Sequence, residues 1–511
     1  MIQIRAVRLP AYVILGLLAG GAHAERPTWR SKLFPADWTP AHEDDAGRYL
    51  HDFSYAGYRN GEVPLPVRPR TRRIRVAADT TGAEDAGPAI QAAIDKAEAA
   101  LGGVVYLPTG LYRVDGLLTV DASRVVLRGA GPDKSRLRFT RHDKMTGRSH
   151  LTVRGRPGAR AEFALARDGV PRETTVFVTD AKGLSAGDDV DVGFVVSDAF
   201  VKEHGMTGVW RPFVGRWQPF FRREVVAIDR RAVPHRVTLD VPLRYPAKVR
   251  DRASLRVVTG LIREVGIEHL GLSNAVGRDE AWANDRVHVL ELTAVADAWV
   301  RNVRSFGAGV HLASGGILVQ QSKRVTVADC RMQRAQHRGG GGNGYLFEVR
   351  QSSEVLFRDC AARLGRHNFI QNWGFGATGC VWLRCDSREG RAINRVFGKD
   401  VTIVGFSEYH HSLATANLVD STYVDDGWSA VNRGHQSSGA GHTATECVFW
   451  NVTGPGLIRS AQYGNGYVIG TGKETKVLAP DGDWVEGLGR AADLVPPSLY
   501  EAQLKRRTRR R

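Results

Sequence analysis

The chain has 511 residues, 57 of them glycine, and is 42% hydrophobic and 24% charged. This is ordinary globular composition and excludes a largely disordered or collagen-like chain. Lys+Arg outnumber Asp+Glu by 71 to 54, a formal charge of +17, which favours a polyanionic partner.

The first 24 residues read as an export signal. Arg5 and Arg8 open it, Ala11 to Gly21 form an apolar run, and Ala22-His23-Ala24 gives a small-x-small cleavage site. A secreted or periplasmic protein with its mature chain starting near Glu25 is expected. No later run reaches the roughly eighteen apolar residues of a membrane span, so no transmembrane segment is expected. Export argues against nucleic acid, leaving acidic polysaccharide or an anionic cell surface as the partner for the basic charge.

Residues 25–75, rich in Pro, Trp and Arg, read as an extended N-terminal segment. Asp85 to Ala100 follows as a helix with Ile90, Ala93, Ile94 and Ala97 on one face, stopped by Gly102-Gly103. Val104 to Leu107 is a strand, Pro108-Thr109-Gly110 a tight turn, and Leu117 to Val120 and Arg124 to Gly129 are further short strands. One helix, then G-G-V-V-Y-L-P-T-G-L-Y, then V-V-L-R-G-A-G, resembles the start of the pectate lyase superfamily and polygalacturonase-related proteins. The resemblance is specific over residues 76–140. It implies a right-handed parallel β-helix, an all-β solenoid with an N-terminal capping helix, and activity on polysaccharides. The reaction it leaves open, because one scaffold hosts many chemistries.

The spacing of later strands supports a solenoid independently. Asn302 to Asp329 is 27 residues, Asp329 to Asp359 is 30, and Asp359 to Cys385 is 26. Such a period, with strands and polar turns, marks coils that bury their faces on one another. The β-helix domain is expected over 76–504. Residues 172–246 break the pattern with alternating strands around an aromatic loop, Trp210 to Phe221, and read as a small β insert. Residues 505–511 read as a disordered basic tail. Five cysteines, all after residue 329, read as buried core residues, with one disulfide among Cys360, Cys380 and Cys385 as the alternative.

Ionisable residues concentrate between Glu408 and His442. On a β-helix, side chains one coil apart stack at about 4.8 Å, so these can gather on one outer face. Asp425-Asp426 can act as acid and base, position a water or hold calcium; the alternative is a polar turn before Gly427. Glu408, Arg433 and His442 are further catalytic candidates, Arg433 because a guanidinium suits carboxylate recognition. His410 and His411 are candidate bases, of which alternation along a strand lets one face a cleft. Tyr409, Trp428 and His435 are expected to bind substrate, with Arg366, His367 and Trp373 on the preceding coil extending the groove. Gly339 to Gly344 lacks the spacing of a nucleotide loop and reads as a flexible turn. The D-D and G-H order of polygalacturonases is matched by Asp425-Asp426 and Gly441-His442, but their N-T-D and R-x-K elements are absent, as are the lysine-centred motifs of several lyase families.

The leading reading is a polysaccharide lyase acting on an acidic glycan. His410 or His411 would be the base. Arg433, or calcium on Asp425 and Asp426, would stabilise the enolate, and Tyr409 or His442 would protonate the leaving oxygen. An inverting glycoside hydrolase using Asp425, Asp426 or Glu408 is the alternative, with epimerisation a variant of the lyase chemistry. A non-catalytic glycan-binding β-helix is the third reading.

Overall fold

The computed structural model describes residues 28–67, 73–480 and 482–509. The export signal falls outside the described residues. Among the described residues, three sheets of 13, 8 and 10 strands run the length of the molecule. All their pairings are parallel, and successive strands step from one sheet to the next, as Val295–Arg301, Arg304–Ser305 and Gly315–Gln320 do. This is the right-handed parallel β-helix expected from the sequence.

The repeat has a concrete cause in the backbone. Asn302, Asp329, Asp359, Arg384, Ser421 and Asn451 all take positive φ, between 48° and 56°, at the same corner of successive coils. The amides of the first five donate to the next coil, as Asn302 does to Ala328 and Asp329 to Arg358, both at 3.0 Å. Asn and Asp tolerate this left-handed conformation better than most residues, so their spacing was visible in the sequence. Cys385 lies one position inside that corner. The interior is a column of Val, Leu, Ile and aromatic side chains, capped by helix Gly87–Ala99 with Ile90, Ala93, Ile94 and Ala97 buried. All five cysteines are free and buried, which corrects the disulfide alternative.

The antiparallel insert is larger than its sequence signature. Six strands between Gly158 and Thr259 form one sheet with its own core. Phe375 and Leu413 of the coils belong to that core. Trp210 of the insert donates to the Ala440 carbonyl at 3.1 Å, tying the insert to loop 431–443.

The basic tail also needs correction. Leu499–Arg509 is a helix, and two of its cations, Arg506 and Arg507, are fixed. Arg507 Nε donates to Ser54 Oγ at 2.7 Å and Arg506 Nη1 to the Trp38 carbonyl at 2.7 Å. The helix and the N-terminal segment thus close over the 13-stranded sheet, burying Phe34, Phe53, Leu418 and Tyr500 together.

Candidate functional site

The ten-stranded sheet carries a cleft of about 360 Å³. Tyr345, Arg350, Arg366, Asn372, Trp373, His410 and His411 line it from the coils, Arg286, Gly341 and Gly342 from one rim, and Ser437 and Ser438 from the other. Strand register assembles the floor: Tyr345 pairs with His367, and Ile370 with Glu408 one coil on.

Glu408 is the hub beneath the cleft. It accepts from Nδ1 of His410 in a very short contact, and its Oε1 lies 3.3 Å from Nε2 of His367 and 3.8 Å from Nη1 of Arg433. Burial alone would raise its pKa, but the surrounding His367, His410 and Arg433 outweigh burial and hold it below the usual carboxylate range. Arg433 Nη1 also approaches Nδ1 of His410 at 2.8 Å while donating to the His410 carbonyl at 2.9 Å. A guanidinium only donates, so Nδ1 cannot both accept from Arg433 and donate to Glu408. The ionised carboxylate is the nearer partner, and Arg433 has the carbonyl as its acceptor. His410 therefore carries its proton on Nδ1 and keeps a lone pair on Nε2. Burial lowers its pKa, so the ring is neutral at neutral pH.

His411 is held differently. Its Nε2 donates to the Ser437 carbonyl at 2.8 Å, which leaves Nδ1 to accept from Ser412 Oγ at 2.6 Å. Burial pushes its pKa down to about 4. The strand ends at Tyr409, so alternation no longer applies and both histidines reach the cleft, contrary to expectation. A second buried carboxylate, Glu348, is paired with His288 at 2.9 Å and Arg350 at 2.5 Å. Asn372 Nδ2 donates to it at 2.8 Å. Its pKa falls to about 2, because Arg350 and His288 outweigh the burial that would raise it.

Several sequence candidates lie elsewhere. Tyr409 is 1% exposed and Trp428 0%. Both point into the coil, where Trp428 stacks on Phe369 at 5.9 Å, so neither can touch substrate. Asp426 is buried under the hairpin Arg391–Val404. It accepts from Asn368 Nδ2 at 2.7 Å, Ser387 Oγ at 2.9 Å and Gly390 N at 3.0 Å. Asp425 accepts from Glu389 N at 2.7 Å. Both Asp426 oxygens are thus engaged within the protein, whereas calcium takes roughly six to eight oxygen ligands. His442 packs on Tyr463 with ring centroids 5.2 Å apart, and exposed His435 stands at the start of a short helix without a side-chain capping bond; neither lines the cleft. His367 lies behind the lining, its Nδ1 donating to the Phe406 carbonyl at 2.5 Å.

His367, Glu408 and His410 place donor atoms within 4.8 Å of one another. Such an N,N,O set suits a transition metal better than calcium. Arg433, however, sets a fixed positive charge 2.8 Å from the His410 donor atom. The arginine already supplies the cation that Glu408 needs.

Sequence reasoning missed Arg286, Tyr345, Glu348, Arg350 and Ser437. The glycine run was the signal available. Gly342 takes φ +92°, and a Cβ there would meet Arg286 Cγ at 2.9 Å, so the run seats an arginine at the rim.

Residues 75–168 match the family model described as rhamnogalacturonase A/epimerase, pectate lyase-like. A stretch of 57 residues is 56% identical to mannuronan C5-epimerase AlgE3 of Azotobacter vinelandii, covering 10% of this chain and 3% of that protein. Among solved structures, the AlgE6 A-module from the same organism is 13% identical over 81% of this chain and 93% of its own, with a TM-score of 0.35. A Thermotoga maritima exopolygalacturonase is 10% identical over 83% and 77%, with a TM-score of 0.37.

Proposed function

We propose that the protein acts on an anionic polysaccharide by removing the C5 proton of a uronate, with β-elimination as the outcome. The observation that carries this is the cleft's charge. Arg286, Arg350 and Arg366 line it, Arg433 lies behind His410, and none of the lining residues is Asp or Glu. Both nearby carboxylates, Glu348 and Glu408, are buried in ion pairs, whereas an inverting hydrolase needs two carboxyl groups at the scissile bond.

His410 Nε2 is the base, its tautomer fixed by Glu408. The cleft arginines neutralise the uronate carboxylate as negative charge develops on it. Tyr345, whose pKa burial pushes up to about 12, keeps its proton at neutral pH and donates it to the departing O4. The C5–H bond breaks, a C4–C5 double bond forms, and the glycosidic C4–O bond breaks. Trp373, 44% exposed beside His411, offers its ring face to a sugar.

C5 epimerisation is the second reading, favoured by the local identity to a C5-epimerase. It shares proton removal and differs in returning a proton to the opposite face. The test is purified protein on a panel of acidic and neutral polysaccharides, reading ultraviolet absorbance of unsaturated uronates and new reducing ends together. Both rising supports elimination. Reducing ends without absorbance would overturn proton removal in favour of hydrolysis.

A further inference from the structure

Ser437 completes a chain with His410 and Glu408, and it is the one member of that chain that proton removal from a uronate does not use. Its Oγ lies 3.3 Å from Nε2 of His410, whose Nδ1 is bonded to Glu408. The Nε2 lone pair makes the serine hydroxyl the donor. Serine, histidine and buried carboxylate stand here in the order that activates a serine oxygen, with the carboxylate fixing the tautomer and the histidine taking the proton.

The surrounding backbone holds Ser437 in this position. Ser437 and Ser438 both take left-handed conformations, at φ 52° and 63°, which cost a non-glycine residue energy. The Ser437 carbonyl is tied to His411 Nε2 at 2.8 Å, and Gly439 N donates to the His435 carbonyl at 3.2 Å. The insert clamps the next residue through Trp210, 3.1 Å from the Ala440 carbonyl. Ser437 is nonetheless exposed at the cleft rim.

We propose that this cleft also hydrolyses O-acyl esters carried by an anionic glycan, with Ser437 as nucleophile. The Ser437 oxygen bonds to the acyl carbonyl carbon as its proton passes to His410 Nε2. The ester C–O bond then breaks, and the sugar oxygen leaves with that proton. Water attacks the acyl-serine, giving its proton to Nε2, and the free acid departs as Ser437 regains its hydrogen. Positive charge from Arg286 and Arg366 faces the transient oxyanion. The activity shares His410 with elimination but needs neither a uronate C5 proton nor Tyr345.

The test has two parts. The full protein is treated with a fluorophosphonate, and the adduct is located by peptide mass mapping. Acetate release from an O-acetylated polyuronate is then compared between wild type and Ser437→Ala, with thermal melts as the folding control. The expected results are an adduct on Ser437, its loss in His410→Ala, and a fall in acetate release of about 10³-fold or more in Ser437→Ala. Wild type giving no adduct on Ser437, or releasing no acetate, overturns the proposal; so does a folded Ser437→Ala that releases acetate at the wild-type rate. Should Ser437→Ala not fold, the wild-type adduct decides. Elimination is followed separately by absorbance on the deacetylated polymer, so failure of either activity is seen without the other.

Discussion

Glu408 accepts the Nδ1 proton of His410, so the opposite ring nitrogen, Nε2, keeps its lone pair toward the cleft. A buried carboxylate thus fixes the tautomer of a neutral histidine. Removing the charge while keeping the shape should separate positioning from basicity. Glu408→Gln is expected to stay folded and lose about 10²-fold in kcat, and His410→Ala about 10²–10⁴-fold, the range for a general base. Steady-state kinetics beside thermal melts check both.

Asp426 and Asp425 sit under the hairpin rather than in the cleft. Asp426→Asn should leave kcat/KM within about twofold, since a surface or structural change away from the chemistry removes no transition-state contact. A loss of several orders of magnitude would return the paired carboxylates to the mechanism.

Stability should depend on pH in two opposite senses. Burial lowers His367 to about 3 and His411 to about 4 from an ordinary 6.5, so their contribution is present above 6.5 and lost as pH falls through those values. Burial raises Asp420 and Asp426 to about 7 from an ordinary 3.8, so theirs is present below 3.8 and lost as pH rises through 7. Asp426→Asn should therefore gain stability relative to wild type between pH 4 and pH 8. His411→Gln should show the reverse trend. Chemical denaturation at the two pH values measures both.

The fold was legible because its cause is local. The helix, the G-G-V-V-Y-L-P-T-G-L-Y strand and turn, and the Asn302, Asp329, Asp359 corners each carry a backbone requirement that a residue type reveals. The site was only half legible, because density of polar residues does not say which way a side chain points. Glu408 and His410 lie on the outer face, while Tyr409 between them fills the core. Trp428 is likewise one layer of an aromatic column that includes Phe369 and Trp382. Tyr345 and Arg350 lie about sixty residues from His410 in sequence and reach it only through coil stacking. The tail misled for a related reason: its arginines cap carbonyls of a segment more than 440 residues away.

Trp373 should act on binding more than on chemistry. It takes φ +45°, unusual for a bulky residue, and packs against His411 at 4.6 Å and Phe213 of the insert at 5.7 Å. Trp373→Ala is expected to raise KM roughly tenfold, equivalent to about 1.4 kcal/mol, with a smaller change in kcat. Trp373→Phe should recover much of the loss in initial-rate measurements.

The arginines of the cleft should make binding salt-dependent. Affinity for a polyuronate is expected to fall as ionic strength rises and the Debye length shrinks from about 10 Å at 0.1 M toward about 3 Å at 1 M. Arg366→Ala should lower affinity and flatten that dependence; titration calorimetry at several salt concentrations reads both.

Removal of the C5 proton by His410 is tested most directly by a kinetic isotope effect. A polyuronate deuterated at C5 should react several-fold more slowly in kcat/KM than the protiated polymer, and activity on either should collapse in His410→Ala. Equal rates for the two polymers, with new reducing ends and no ultraviolet absorbance, would contradict proton abstraction and leave a hydrolase.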